Sequence, residues 1–141
     1  MIQDVIIDIK GTQENSGEEN VIELNTEGRF GTKDDSYFIS YNEGELSGLG
    51  DVKTVLFVRP DHSVVLQRTG SFQSRIAVEM GKRSTTVYRT PHGDMMIGIY
   101  GESVEHSLTP EGGTISMRYT VDSNLELISR NTVKISIRRV V

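Results

Sequence analysis

Arg68 sits where a charge needs a partner. Alternate side chains on a strand share a face, so Arg68 lies on the same side as Val64 and Leu66. An inward guanidinium must be offset by an anion or by several carbonyls. One arrangement is an internal ion pair, with Glu43 as the carboxylate, or a Tyr ring stacked on the guanidinium. The other is a bound carboxylate or phosphate gripped by the two-pronged fork. Tyr41 and Glu43 share an alternation with Tyr37 and Ile39, and Tyr88 and Tyr119 fall on other strands. Rings with a polar tip suit a partly wet pocket, and they fill a small core equally well. Arg68, Tyr41, Glu43, Tyr88 and Tyr119 are the candidate ligand-binding residues.

Other constellations fail on spacing. In Ser47-Gly48-Leu49-Gly50-Asp51-Val52-Lys53-Thr54 a phosphate loop would need Gly directly before the Lys, and Val52 stands there. Asp122-Ser123-Asn124-Leu125-Glu126 has oxygen ligands at alternate positions, but Leu127 occupies the place of the calcium loop's glycine. A hairpin turn explains it better. His62, His92 and His106 show no paired metal-ligand spacing, so no metal site is expected. No Gly-x-Ser-x-Gly elbow occurs, no catalytic residue is identified, and nothing calls for a cofactor.

The elements that must carry these residues are strands. Ile115, Met117, Tyr119 and Val121 alternate with Thr114, Ser116, Arg118 and Thr120. Val133, Ile135 and Ile137 alternate with Lys134, Ser136 and Arg138. Val5, Ile7 and Ile9 alternate with Asp4, Ile6, Asp8 and Lys10, and Ile76, Val78 and Met80 with Ala77 and Glu79. The expected strands are 4–11, 21–28, 37–42, 53–59, 63–69, 74–80, 84–90, 94–101, 113–121 and 125–140. Turn residues fill most joints, as in Arg59-Pro60-Asp61-His62 and Pro110-Glu111-Gly112-Gly113. The best helical turns are near Glu43–Leu49 and Ser103–Leu108. The polar stretch Thr12–Asn20 reads as the segment most prone to disorder. Short connections favour a meander. The pattern predicts an all-β, closed antiparallel up-and-down barrel of about eight to ten strands, one domain over 1–141. Its first and last strands are expected to seal it, with Asp4 and Asp8 facing Lys134 and Arg138.

Several stretches resemble a small bacterial family of uncharacterised proteins, the YwiB-like proteins. They are Tyr41-Asn42-Glu43-Gly44, Val52-Lys53-Thr54-Val55-Leu56-Phe57-Val58 and Val65-Leu66-Gln67-Arg68-Thr69-Gly70, in that order. Tyr88-Arg89-Thr90-Pro91-His92-Gly93 and Gly112-Gly113-Thr114-Ile115-Ser116-Met117-Arg118-Tyr119 follow. The resemblance implies a closed, calycin-like barrel similar to lipocalins and fatty-acid-binding proteins. It implies no activity and carries over no site residue. A haem-binding barrel of that kind would have a proximal His on a strand, whereas the three His here read as lying in or near turns.

Composition bounds the rest. The chain has 141 residues, no Cys and a net charge of −5. Thiol catalysis and thiolate metal sites are excluded, and general nucleic-acid binding is disfavoured. Residues 1–51 hold 12 acids and 3 bases, and residues 52–141 hold 8 acids and 12 bases. The two parts either neutralise each other in the fold or leave a basic outer face for an anionic partner. No apolar run approaches the roughly 20 residues of a membrane span, so a cytoplasmic address is expected. Two functional readings lead: a module binding a small amphipathic or anionic ligand in the barrel, and a structural or regulatory interaction domain whose barrel is filled. An enzyme is the third. A monomer or homodimer fits either of the first two.

Overall fold

The computed structural model describes residues 2–42, 52–70, 73–90 and 93–140. They form ten strands: β1 (Ile2–Asn15), β2 (Glu18–Lys33), β3 (Ser36–Asn42), β4 (Val52–Val58), β5 (Val64–Gly70), β6 (Ser74–Val78), β7 (Arg83–Thr90), β8 (Gly93–Thr109), β9 (Gly112–Ser123) and β10 (Glu126–Arg139). The sheet runs β6-β5-β4-β3-β2-β1-β10-β9-β8-β7, every ladder antiparallel. The result is a nearly closed meander barrel. Among the described residues no helix is long and apolar enough to cross a membrane.

The first and last strands seal the barrel, with Val5 opposite Arg139 and Glu14 opposite Arg130. Apolar alternation on both drives this pairing, since Val5, Ile7, Ile135 and Ile137 are all buried. Charge contributes less. Arg138 Nε approaches Asp8 Oδ2 at 3.9 Å, but Lys134 faces Lys10, and an exposed pair is worth at most about 1 kcal/mol.

β6 and β7 close the other side without a ladder. The Glu79–Lys82 turn packs against β8, where Gly81 N–H donates to the Gly101 carbonyl at 2.8 Å and Gly101 N–H to the Lys82 carbonyl at 3.2 Å. A Cβ on Gly101 would overlap the Glu79 backbone, so this stitch requires glycine. Next to it β8 changes register between Gly101 and Ser103. The bulge switches the inward set from Ile97 and Ile99 to Val104 and Leu108, all buried.

Three expectations change. Ser103–Leu108 is strand, part of β8, because the bulge disguises its alternation. Thr12–Asn20 is a paired hairpin. Glu14 faces Glu19, Asn15 faces Glu18, and Ser16 and Gly17 turn at φ 52° and 82°, a two-residue primed turn. Its polarity reflects an arm wetted on both faces. Met80 lies in the turn after β6 and is exposed. The other helical expectation, Glu43–Leu49, lies outside the described residues.

The meander gives the barrel two unlike ends. The lower end holds the β2–β3, β4–β5, β6–β7 and β8–β9 turns. The upper end holds the β1–β2 and β9–β10 turns and the points where β3, β5 and β7 hand over to the next strand. The core of Val5, Ile7, Phe30, Ile39, Leu56, Val58, Val64, Ile99, Ile115 and Met117 fills the middle and lower barrel. Phe30 stacks on Tyr37 at 5.6 Å between ring centres, Tyr37 meets His106 edge-on at 6.4 Å, and His106 lies 4.9 Å from His62.

Candidate functional site

One inward row in the upper part of β3–β6 is polar, and buried Val52 lies one inward position above it on β4. Register aligns Gly28, Tyr41, Thr54, Arg68 and Ser74 across five consecutive strands. Each falls on the parity of a core residue on its own strand: Tyr41 with Ile39, Thr54 with Leu56, Arg68 with Val64, Ser74 with Ile76. The row therefore faces the interior. Tyr41 is 8% exposed, Thr54 0% and Ser74 8%, and Arg68 between them is half-buried. Gly28 makes room for the row, since a Cβ there would overlap the Ser40 carbonyl and the Ile7 side chain.

Thr54 Oγ1 and Ser74 Oγ are buried and have no hydrogen-bond partner. A buried hydroxyl without a partner costs about 1–3 kcal/mol, and native structures hold few of them. Here two flank one arginine in register. Together they set two unpartnered hydroxyls on either side of a guanidinium that has a contact of its own. Ile22 and Met95, on the inward parity of the β1–β2 and β7–β8 hairpins, are 63% and 42% exposed at the same end.

The candidate residues distribute unevenly. Tyr41 and Arg68 come together in this row. Tyr119 lies on the opposite wall, on β9, paired with Gly101 and Asn131 and packed against the core. Tyr88 pairs with Met95 in the β7–β8 ladder, and its side chain lies outside the described residues. Glu43, and with it the Glu43–Arg68 pairing, also lies outside them. Thr54 and Ser74 were not singled out from sequence, although each is a polar residue on an apolar alternation.

His106 corrects its reading as a turn residue. It sits on β8 with the inward parity of Val104 and Leu108, opposite Ile115. Its Nδ1 is buried without a partner. Burial, and then the neighbouring His62, hold its pKa below the usual imidazole value. Aromatic rings fill the space around it. His62 and His106 form a pair, His92 lies outside the described residues, and among those residues no three His, Asp or Glu gather with metal spacing.

Two further polar arrangements are on the outer wall. Arg83 reaches across Gly98 to Asp122, with Nε donating to Oδ2 at 3.0 Å and Nη2 to Oδ1 at 2.6 Å. Asp122 also accepts the Leu125 N–H at 3.1 Å, which supports Asn124 and Leu125 at φ 51° and 70°. The Arg83 hydrogen bonds, then that from Leu125, hold the Asp122 carboxyl below its usual range. This clamp is satisfied within the chain. A shallow depression lined by Glu14, Glu19, Glu102, Arg118 and Arg130 carries exposed charges of both signs. Water competes there for every contact, so the buried row is the better-built site.

Comparison with known proteins matches this architecture. The chain is 27% identical over 115 residues to the uncharacterized beta-barrel protein YwiB of Bacillus subtilis (strain 168), covering 82% of this chain and 79% of that one. The crystal structure of the ywiB protein from Bacillus subtilis superposes with a TM-score of 0.81 over 96% of this chain and 92% of that one, at 24% identity. The model of the domain of unknown function DUF1934 matches residues 7–135. With that match spanning nearly the whole barrel, the chain belongs to the DUF1934 family.

Proposed function

We propose that this barrel binds a small anionic, amphipathic molecule at its upper end, as a cytoplasmic binding protein rather than an enzyme. The observation that carries the reading is the pair of buried, unpartnered hydroxyls of Thr54 and Ser74 on either side of Arg68. A carboxylate, sulfonate or phosphate would accept hydrogen bonds from the two hydroxyls and draw the guanidinium from its present contact. A charge-assisted bond to the guanidinium is about twice as strong as a neutral one. The exposed Ile22 and Met95 supply apolar surface for the rest of the molecule.

The test compares the natural protein with Arg68→Met, which keeps most of the apolar stem. Both are titrated with a fluorescent anionic amphiphile and with decanoate as competitor. The expected result is a saturable site, displaced by decanoate, whose affinity falls by about 2–5 kcal/mol in the variant. Equal affinity in the two proteins, or no saturable binding to either, overturns the reading. Native mass spectrometry of protein freshly purified from its host then identifies the retained mass.

A further inference from the structure

We propose that the upper part of the β2 edge is a strand-addition site for an extended, basic segment of another protein. This edge lies on the β1–β2 arm and takes no part in the buried polar row, so it stands independently of the ligand reading. β2 pairs with β1 along residues 18–31. Its ladder with β3 covers only residues 28–33. Along residues 18–27 the second edge of β2 has no strand beside it among the described residues, and no backbone hydrogen bond from another described element reaches it.

Exposure shows that the tip of the arm stands clear. Glu18, Glu19, Asn20, Val21, Ile22 and Glu23 are all exposed, whichever face their side chains take. Val21 on the outer face is 52% exposed and Ile22 on the inner one 63%. Neither face of the tip is packed against another element. The N–H and C=O of one residue on an antiparallel strand point to the same side, and those of the next residue point to the other. Every second residue of this stretch therefore bonds to β1, and each residue between presents both backbone groups to the open side. An added strand completes those bonds, which is the chemistry of recognition by strand addition.

Charge selects the occupant. The open stretch carries Glu18, Glu19, Glu23 and Glu27 and no Lys or Arg. None of the four makes an ion pair with another described residue. Opposite the stretch on β1 stand two acids, Asp8 and Glu14, and one base, Lys10. Glu14 faces Glu19 directly, a like-charge pair that costs stability. Glu19, Glu23 and Glu27 share the outer face with Val21, while Ile22 and Leu24 share the inner one. A strand of alternating basic and apolar residues sets its cations against the glutamates and its apolar side chains against Ile22 and Leu24. A second copy of this chain is disfavoured, because two such edges would gather four glutamates from each copy along one ladder.

The experiment uses a dye-labelled peptide of alternating Lys and Val, eight residues long. One control is the same peptide with Glu for Lys. The other is the Lys-Val peptide N-methylated at every residue, which keeps its charge and cannot donate backbone hydrogen bonds. Fluorescence anisotropy measures binding to the natural protein and to the double variant Glu19→Lys with Glu23→Lys, both at exposed positions. Hydrogen exchange follows the backbone amides. In the free protein alternate amides of residues 18–27 are expected to exchange freely. The basic peptide should saturate and slow exchange at those amides. Its Kd should rise at least tenfold in the double variant, and both control peptides should bind the natural protein at least tenfold more weakly. Several results would overturn the proposal: edge amides already protected in the free protein, no saturable binding, or protection away from β2. Equal binding of the Glu peptide or the N-methylated peptide, or unchanged affinity in the double variant, would overturn it too.

Discussion

The two ends of the barrel are lined differently. At the lower end most inward positions are apolar or aromatic, Gln3 and Ser84 apart, and Phe30, Tyr37, His106 and His62 form a chain of ring contacts. At the upper end, Tyr41, Thr54, Arg68 and Ser74 replace that packing with polar groups, two of which lack partners. The same strands pass through both. The difference teaches that apolar packing is concentrated below and polar satisfaction is left incomplete above, which is the pattern the proposed site needs.

Substitutions can break that contrast. The largest effect should come from Phe30→Ala, which empties a fully buried position and is expected to cost about 3–5 kcal/mol in a urea melt. A loss under about 1 kcal/mol would mean that the lower end is not the packed one. Thr54→Val should do the reverse at the upper end. Removing an orphan hydroxyl without changing shape should raise stability by about 1–3 kcal/mol and weaken binding of the anionic amphiphile. A destabilised Thr54→Val protein would show that the hydroxyl is satisfied in solution and that the ends do not differ in this way.

The smallest effect sharpens the comparison through pH. His106 has its pKa lowered in the fold by burial and by His62. Just below the ordinary value of about 6.5 the unfolded chain therefore binds more protons than the folded one. Stability from this group is complete above that value and falls as pH drops toward the folded pKa. Urea midpoints at pH 8 and pH 5.5 should differ in that sense, and His106→Gln should flatten the difference. An unchanged slope in the variant would remove His106 as its source.

Much of the lower half was legible because alternation alone decides it. Ile115, Met117, Val133, Ile135 and Ile137 all face inward as their parity requires, and the pairing of β1 with β10 follows from two apolar alternations that need each other. Arg68 fell on the inner face by the same reasoning. Parity failed where it was interrupted. The bulge at Gly101–Ser103 shifts the count by one, so Val104, His106 and Leu108 no longer match Ile97 and Ile99. The β1–β2 arm hid for another reason: its tip is wet on both sides, and a ladder of polar residues leaves no periodic trace. Thr54 and Ser74 were visible as polar residues on apolar alternations, but only the register across β4, β5 and β6 shows that they bracket the arginine.

The unladdered junction of β6 and β7 also bears on how the chain can be rewired. Eight of the nine ladders join strands adjacent in sequence, and only β1–β10 joins distant ones. The start of β1 and the end of β10 meet beside that ladder, where Val140 N–H donates to the Asp4 carbonyl at 3.4 Å. A short linker between them, with new termini opened in the Glu79–Lys82 turn, gives a circular permutant that severs no ladder. Its strands then follow one another in sheet order from β7 round to β6. Every ladder becomes a local hairpin, contact order falls, and the permutant should fold faster than the natural chain.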